Sequence, residues 1–310
     1  MASVPERLAG PSVRRDTLDA PPRVRDGLRW PRALAGNPKA VVGVLILLAV
    51  VVCAVAAPWL APADPNTQVL DDRLLEPLAV GRNGVSHLLG TDHLGRDVLS
   101  RVLFGSRVSL LVGLAAVTLA GTVGISLGLA AGYNGGRVDD AVMRLADMQL
   151  ALPFILVASF VAAVLGPGLQ NTILVLGIIG WVAYARVVRV GTLAVREKEY
   201  VLAARALGQR GLQIAWRHVL PNVSSPIIVI ATFAVAQTML AEAALTFLGL
   251  GTPVAIPSWG GMLSEARNYM TIAWWTAAFP GLAITITVIG INLLGDWLRD
   301  YLDPKNRDLV

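Results

Sequence analysis

The side chains that could carry out chemistry are few and lie far apart in this sequence. Three histidines and one cysteine, Cys53, occur in 310 residues, so a cysteine-based zinc site and an intramolecular disulfide are both excluded. One stretch brings several potential metal ligands together: His87, Asp92, His93 and Asp97. Their spacing matches no established metal motif, so we predict no metal site there. We expect the two aspartates to cap a helix or to pair near Arg96 instead.

Motifs for binding nucleotides or for catalysis are missing from the sequence. No Gly-x-x-x-x-Gly-Lys-Ser/Thr phosphate loop occurs, so the chain has no recognisable way to hold ATP. No grouping of Ser, His and Asp, and no pair of carboxylates, indicates an enzyme. We therefore predict a non-catalytic chain that binds no cofactor of its own.

The composition is that of a membrane protein. Hydrophobic residues make up 55% of the sequence and charged residues 15%, and the mean hydropathy is +0.62, whereas soluble chains carry about 25% charged residues. The net charge of +5 comes from basic residues scattered between apolar runs. Because these residues form no continuous basic stretch, we exclude nucleic acid as a partner and expect contact with membrane lipid.

Six apolar runs are long enough to cross a bilayer, which takes about 20 residues. Pro58 and Pro62 end the first run, and the helix-breaking sequence Gly166-Pro167-Gly168 separates the third from the fourth. The sequence therefore predicts an all-α integral membrane protein with spans near 40–58, 108–132, 142–165, 169–188, 224–247 and 272–294.

Basic residues orient these spans. With both termini in the cytoplasm, most of the 26 Lys and Arg lie in the tails and in the cytoplasmic loops, as the positive-inside rule requires. The N-terminal tail lacks an apolar core with a cleavage site, so we predict no removable signal peptide. The predicted parts are a basic tail at 1–39, a first span at 40–60, an extracytoplasmic segment at 61–106, a core at 107–303 that contains a long cytoplasmic loop at 191–222, and a C-terminal tail at 304–310.

The cytoplasmic loop at 191–222 carries the most information. We predict a short helix that Gly208 ends and a second short helix that runs toward Pro221. Leu212, Ile214 and Trp216 are expected to act as apolar anchors within a rim of arginines. Such an elbow suits docking into a groove of a soluble partner, and an amphipathic helix resting on anionic lipid is the alternative. The candidate residues for docking are Glu199, Leu202, Ala203, Ala204, Arg205, Gly208, Leu220 and Pro221.

Two features within the spans also indicate a role. Gly124, Gly128 and Gly132 are four residues apart and share one helix face, which suits packing inside the chain or contact with a second membrane subunit. Glu242 lies in an apolar run, where a carboxylate is costly unless it is satisfied. It could line a pathway, but we favour a structural role.

Several motifs resemble one family of transporters. The pattern Ala203-Ala204-x-x-x-Gly208 with Leu220-Pro221 resembles the EAA loop of binding-protein-dependent ABC importer permeases, although Leu202 stands where that family often has glutamate. Further stretches resemble the second, C-type, permease of dipeptide and oligopeptide importers: 87–101, 105–113, 166–168, 183–189, 245–251, 257–262 and 295–304. The resemblance covers residues 38–304.

The resemblance implies a fold, a set of partners and a cargo. The fold is that of type I importer permeases, six transmembrane helices with a cytoplasmic coupling loop, in the inner membrane of a bacterium. The implied partners are a homologous permease, an extracytoplasmic substrate-binding protein and two ATPase subunits, which hold ATP and magnesium and dock on residues 199–222.

The implied cargo is a di- or oligopeptide, with nickel chelates and glutathione as alternatives within the family. An autonomous channel or a secondary transporter is the alternative from another class. Those proteins use polar groups at mid-membrane or inverted repeats, and neither is evident in the sequence.

Overall fold

The computed structural model describes residues 30–303 except residue 83. The C-terminal tail predicted at 304–310, and the N-terminal tail up to residue 29, lie outside the described residues. The helices are α1 (Trp30–Ala35), α2 (Pro38–Leu60), α3 (Val98–Asn134), α4 (Gly136–Leu150), α5 (Phe154–Leu165), α6 (Leu169–Arg196), α7 (Glu199–Ala206), α8 (Gly211–Ile214), α9 (Leu220–Phe247), α10 (Trp259–Ala266) and α11 (Trp275–Leu302). A small antiparallel pair, β1 (Ala79–Val80) and β2 (Ser86–His87), lies between α2 and α3.

The described part contains five continuous helical runs that are long and apolar enough to cross a membrane. They are Pro38–Leu60, Val98–Asn134, Leu169–Arg196, Gly211–Phe247 and Trp275–Leu302. The pair α4 and α5 makes a sixth span if the two helices are counted together. This architecture agrees with the predicted six-span helical fold.

The span predicted as one helix at 142–165 is broken in the structure. Helices α4 and α5 meet at an angle of 91°. The break has a local cause, because Pro153 disfavours helical backbone at Leu152, the residue before it. Hydropathy alone missed the break, since the apolar run continues across it.

The second span is longer than predicted. Helix α3 begins at Val98 and not near 108, because the Asp97 side chain accepts a hydrogen bond from the Ser100 backbone N–H at 2.7 Å and caps the helix. The polar residues of the first three turns hid this start from a hydropathy argument. Helix α6 likewise continues to Arg196, so the loop expected from 191 begins at 197.

Small residues let the spans pack closely. A Cβ atom added at Gly43 of α2 would lie 2.9 Å from the Gly290 carbonyl of α11, and one added at Gly113 of α3 would lie 3.0 Å from Met239 of α9. The three glycines of the predicted stripe all face α6. Added Cβ atoms would lie 2.6 Å from Tyr184 Cβ at Gly124, 2.6 Å from the Ala185 oxygen at Gly128, and 2.7 Å from Thr192 Cβ at Gly132. The stripe therefore packs α3 against α6 within the chain.

This contact gives a matched pair of variants on one helix. Gly128→Ala is expected to lower the stability by about 1–3 kcal/mol, because the added methyl group meets a backbone carbonyl that cannot move aside alone. Gly121→Ala is the control, since its nearest neighbour would be the Tyr184 ring at 3.7 Å, an ordinary contact. Thermal unfolding of the purified protein in detergent measures the difference. Equal melting temperatures for the two variants would contradict the close α3–α6 contact.

Candidate functional site: the α6–α9 loop and a buried charge cluster

The α6–α9 loop (residues 197–219) forms the predicted elbow of two short helices. Helix α7 ends in a Schellman motif. The Gly208 N–H donates to the Arg205 oxygen at 3.0 Å, and the Gln209 N–H donates to the Ala204 oxygen at 3.2 Å. This ending needs left-handed backbone, and Gly208 has φ of 81°. After α8, a π-helical turn at Ala215–Val219 leads into α9. The predicted helix end at Gly208 is confirmed.

One side of the loop is anchored in the chain's own core. Val201, Ala204, Ile214 and Val219 are buried in a cluster with residues of α3, α6 and α9: Leu129, Val188, Val195 and Val223. Ala203 is exposed, so the two alanines of the motif face opposite ways. Leu220 packs against the same cluster, and Pro221 lies exposed in the first turn of α9.

The other side of the loop presents an apolar surface to its surroundings. Leu207 is 83% exposed, Leu212 73% and Trp216 55%, with Tyr200 and Leu202 also exposed. We call these five residues the apolar face. The prediction that Ile214 is an outward anchor was wrong, because it is 0% exposed. It lies two residues from both Leu212 and Trp216, which places it on the opposite side of the helical turn.

Charged residues surround the apolar face. Glu199 is exposed in the first turn of α7, where its negative charge interacts favourably with the helix dipole. Arg210 and Arg217 are exposed, as expected for a basic rim. Arg205 turns toward α3 instead, and its guanidinium lies 5.4 Å from the centre of the Tyr133 ring. The loop therefore combines an internal anchor with an exposed apolar and basic surface.

A buried charge cluster lies at the other end of α3. The Arg101 Nη1 atom donates to Asp92 Oδ2 at 2.7 Å and to Glu265 Oε2 at 2.5 Å. Arg96 donates to the same two oxygens, at 2.6 Å through Nε and 2.7 Å through Nη2. We call these four residues the charge clamp. It joins the segment before α3, helix α3 itself and helix α10, and the expected pairing of Asp92 with Arg96 is confirmed.

The electrostatics of the charge clamp indicate a structural role. Burial by itself would raise the pKa of Asp92, but Arg101 and Arg96 beside it hold that pKa below its usual value. Burial lowers the pKa of His93, which stacks on Tyr269. Asp92, His93 and Glu265 offer ligand atoms within 4.8 Å of one another, yet two guanidinium groups already neutralise both carboxylates. A bound cation would have to displace these ion pairs.

His87 and Asp97 lie beside the charge clamp. The His87 Nδ1 atom is 2.9 Å from Asp97 Oδ1, while the second Asp97 oxygen caps α3. Of the four residues that the sequence grouped as potential ligands, His87 and Asp97 thus lie at the helix cap, Asp92 belongs to the charge clamp, and His93 stacks on Tyr269.

Glu242 is buried near the end of α9. It accepts hydrogen bonds from the hydroxyl groups of Thr246 at 2.9 Å and Thr252 at 3.2 Å. Thr246 lies in the last turn of α9 and Thr252 in the segment that follows, so the carboxylate holds the helix end against that segment. This placement supports a structural role.

Sequence reasoning missed several residues of these sites, among them Leu207, Glu265 and Tyr133. Leu207 is the most exposed residue of the apolar face, and its position next to the predicted helix end was an available signal. Glu265 and Tyr133 carry no local signal, because their partners lie far away in the sequence.

The chain is similar to known transport proteins. Residues 124–308 match the family described as "Binding-protein-dependent transport system inner membrane component", and residues 30–77 match the "N-terminal TM domain of oligopeptide transport permease C". The chain is 45% identical to the di/tripeptide transport system permease protein DppC of Pseudomonas aeruginosa, over 88% of this chain and 90% of that protein.

Two further relatives are similar over the same extent. The dipeptide transport system permease protein DppC of Alkalihalophilus pseudofirmus is 41% identical over 88% of both chains. The glutathione transport system permease protein GsiD of Pectobacterium atrosepticum is also 41% identical, over 89% of this chain and 90% of that protein.

Proposed function

Because the chain belongs to the family of binding-protein-dependent transport system inner membrane components, we propose that it is a permease subunit of an ABC importer for di- or oligopeptides. Two relatives whose names specify dipeptide or di/tripeptide transport, and the oligopeptide-permease domain at 30–77, support this cargo. Glutathione is the second candidate, since a glutathione permease is 41% identical. Glutathione is itself a small peptide, so both cargoes fit one type of pathway.

The observation that carries the proposal is the α6–α9 loop. Its core side is fixed by Ala204 and Ile214, while its apolar face has no covering element among the described residues. An exposed apolar surface with a basic rim is typical of a protein interface. The proposed occupant is an ATPase subunit, whose groove would receive Leu207, Leu212 and Trp216.

The partners divide the work of transport. In this proposal two ATPase subunits hold ATP and magnesium, a homologous permease completes the pathway, and an extracytoplasmic binding protein delivers the peptide. This chain itself is non-catalytic. Its contribution is to change between two arrangements of its spans when the loop moves, and such a change requires that the partners bind the two arrangements with different affinity.

The chain is a multi-pass membrane protein. We propose that both termini and the α6–α9 loop lie in the cytoplasm, because basic residues concentrate in these parts. The 61–97 segment and the charge clamp then lie on the extracytoplasmic side.

A mild-detergent pull-down of the chain expressed with its ATPase partner tests the proposal. A Cβ atom added at Gly208 has no neighbour within 4 Å, so Gly208→Trp adds bulk next to Leu207 of the apolar face at a position with open space. In that variant we expect the affinity for the ATPase to fall at least about tenfold. This corresponds to a loss of about 1.4 kcal/mol in binding free energy. Gly208→Ala is the matched control, because it carries the same backbone strain at φ of 81° without the bulk.

The wild-type result distinguishes an ATP-driven permease from an autonomous channel or a secondary transporter. ATPase that co-purifies with wild type and with Gly208→Ala, but not with Gly208→Trp, supports docking at the loop. If no ATPase co-purifies with the wild type and peptide uptake proceeds without ATP, the chain is an autonomous channel or a secondary transporter, and the proposal is wrong.

A further inference from the structure

Tyr133, near the end of α3, contacts both halves of the α6–α9 loop. A Cβ atom added at Gly211, the first residue of α8, would lie 2.8 Å from Cε1 of the Tyr133 ring. On the α7 side, the Arg205 guanidinium lies 5.4 Å from the centre of the same ring, within the range of a cation–π interaction. The ring therefore fits between the two short helices, and only glycine permits its approach to α8.

Further contacts hold the end of α6 and the loop near α3 at this point. The Arg196 Nη1 atom, at the end of α6, donates to the Gly132 oxygen at 2.8 Å. Leu129 and Tyr133 pack in the same cluster as Val201 and Ile214 of the loop. The loop follows α6 and precedes α9 in the sequence, and a third helix, α3, also contributes side chains to the cluster in which the loop is anchored.

Helix α3 reaches from the loop to the charge clamp without a break. It has 37 residues and contains no proline, and at 1.5 Å per residue it is about 55 Å long. Near its start, Arg101 joins the charge clamp, and the Trp259 Nε1 atom of α10 donates to the Val102 oxygen at 2.9 Å. One continuous helix thus touches the loop at one end and the charge clamp at the other.

The covalent route from the loop into α9 contains two irregular features. The loop enters α9 through the π-helical turn at Ala215–Val219, and Pro226 lies inside the helix. A π-helical turn and an internal proline both interrupt the regular hydrogen bonds that make a helix rigid. The route from the loop along α9 is therefore less regular than α3, which contains neither feature.

We propose that Tyr133 is a positioning residue that couples the α6–α9 loop to α3, so that movement at the ATPase side reaches the charge clamp on the binding-protein side. This inference rests on the proposed function. By linkage, the coupling acts in both directions: a binding protein engaged at the clamp side favours the loop position that supports ATP hydrolysis.

The test uses the complete transporter in proteoliposomes, with its partner permease, ATPase subunits and binding protein. The readouts are basal ATP hydrolysis, its stimulation by peptide-loaded binding protein, and peptide uptake. We expect Tyr133→Ala to keep basal hydrolysis and the bound ATPase but to lose at least about fivefold in stimulation, the lower end of common coupling strengths. Tyr133→Phe keeps the ring and is expected to restore most of the stimulation.

Two further variants keep the test decisive. Tyr301→Ala removes an aromatic ring that stacks on Trp297 in α11 and is expected to leave stimulation unchanged. Gly211→Ala pushes a methyl group against the Tyr133 ring and is expected to lower stimulation. Combining it with Tyr133→Ala should add no further loss, because the ring it strikes is gone.

The outcomes separate this inference from the proposed function. A wild-type complex with no ATPase activity, or no stimulation, overturns the proposed function. A stimulated wild type with equal stimulation in Tyr133→Ala overturns the inference alone. Tyr133→Ala could instead lose the bound ATPase and melt at a lower temperature while Gly211→Ala keeps normal stimulation. That result would assign Tyr133 a role in folding and would also overturn the inference.

Discussion

Leu212→Asp is expected to weaken ATPase binding about thirtyfold and to reduce peptide uptake accordingly. Leu212 is 73% exposed on the apolar face, and the loss of an interface anchor costs about 2 kcal/mol or more. The chain should remain folded, because position 212 lies in the first turn of α8, where an acidic residue is compatible with the helix dipole. Co-purification of the ATPase with the detergent-solubilised chain measures the effect.

Leu70→Asp is the control for this prediction. Leu70 is another exposed leucine, but it lies in the 61–97 segment beyond the opposite end of α3. The variant should retain the ATPase at the wild-type level. If Leu212→Asp retained as much ATPase as Leu70→Asp, the apolar face would not be the docking surface, and contact with lipid would become the better interpretation of the loop.

Asp92→Ala is expected to destabilise the protein by about 3–5 kcal/mol, because it leaves two buried guanidinium groups with one carboxylate between them. The melting temperature of the purified protein should fall by many degrees, with the loss starting in the 61–97 segment. Limited proteolysis of that segment, followed at increasing temperature, locates the effect.

Asp71→Ala provides the comparison within the same segment. Asp71 pairs with Arg82 at 3.1 Å, but both side chains are exposed, and such pairs contribute little to stability. A melting temperature near wild type is expected. Similar losses in the two variants would mean that burial of the charge clamp does not determine its strength.

The pH dependence of this effect follows from the lowered pKa of Asp92. The folded state depresses that pKa, so the charge clamp contributes its full stability above the unfolded value of 3.8. As the pH falls below that value and through the lower folded pKa, the carboxylate becomes protonated and the contribution is lost. The difference in stability between wild type and Asp92→Ala should therefore be constant at neutral pH and should shrink below about pH 4.

Much of the architecture was determined by the sequence alone. Long apolar runs have few alternatives to spanning a membrane as helices, because every backbone polar group must be satisfied internally in lipid. The end of α7 was also predictable, since only glycine adopts the backbone at position 208 without strain. The glycine stripe at 124, 128 and 132 correctly indicated a close helix contact.

The tertiary structure alone decided which side chains meet. Glu265 joins Arg101 from 164 residues away, and the Tyr133 ring lies between Gly211 and Arg205 only because α3 ends beside the loop. The sequence also gave the wrong side of the loop for Ile214, because an apolar side chain suits either the core or a docking surface. The physical reason is the same in each case. Apolar runs and helix caps are local properties of the chain, whereas burial and charge pairing depend on residues that only the folded bundle brings together.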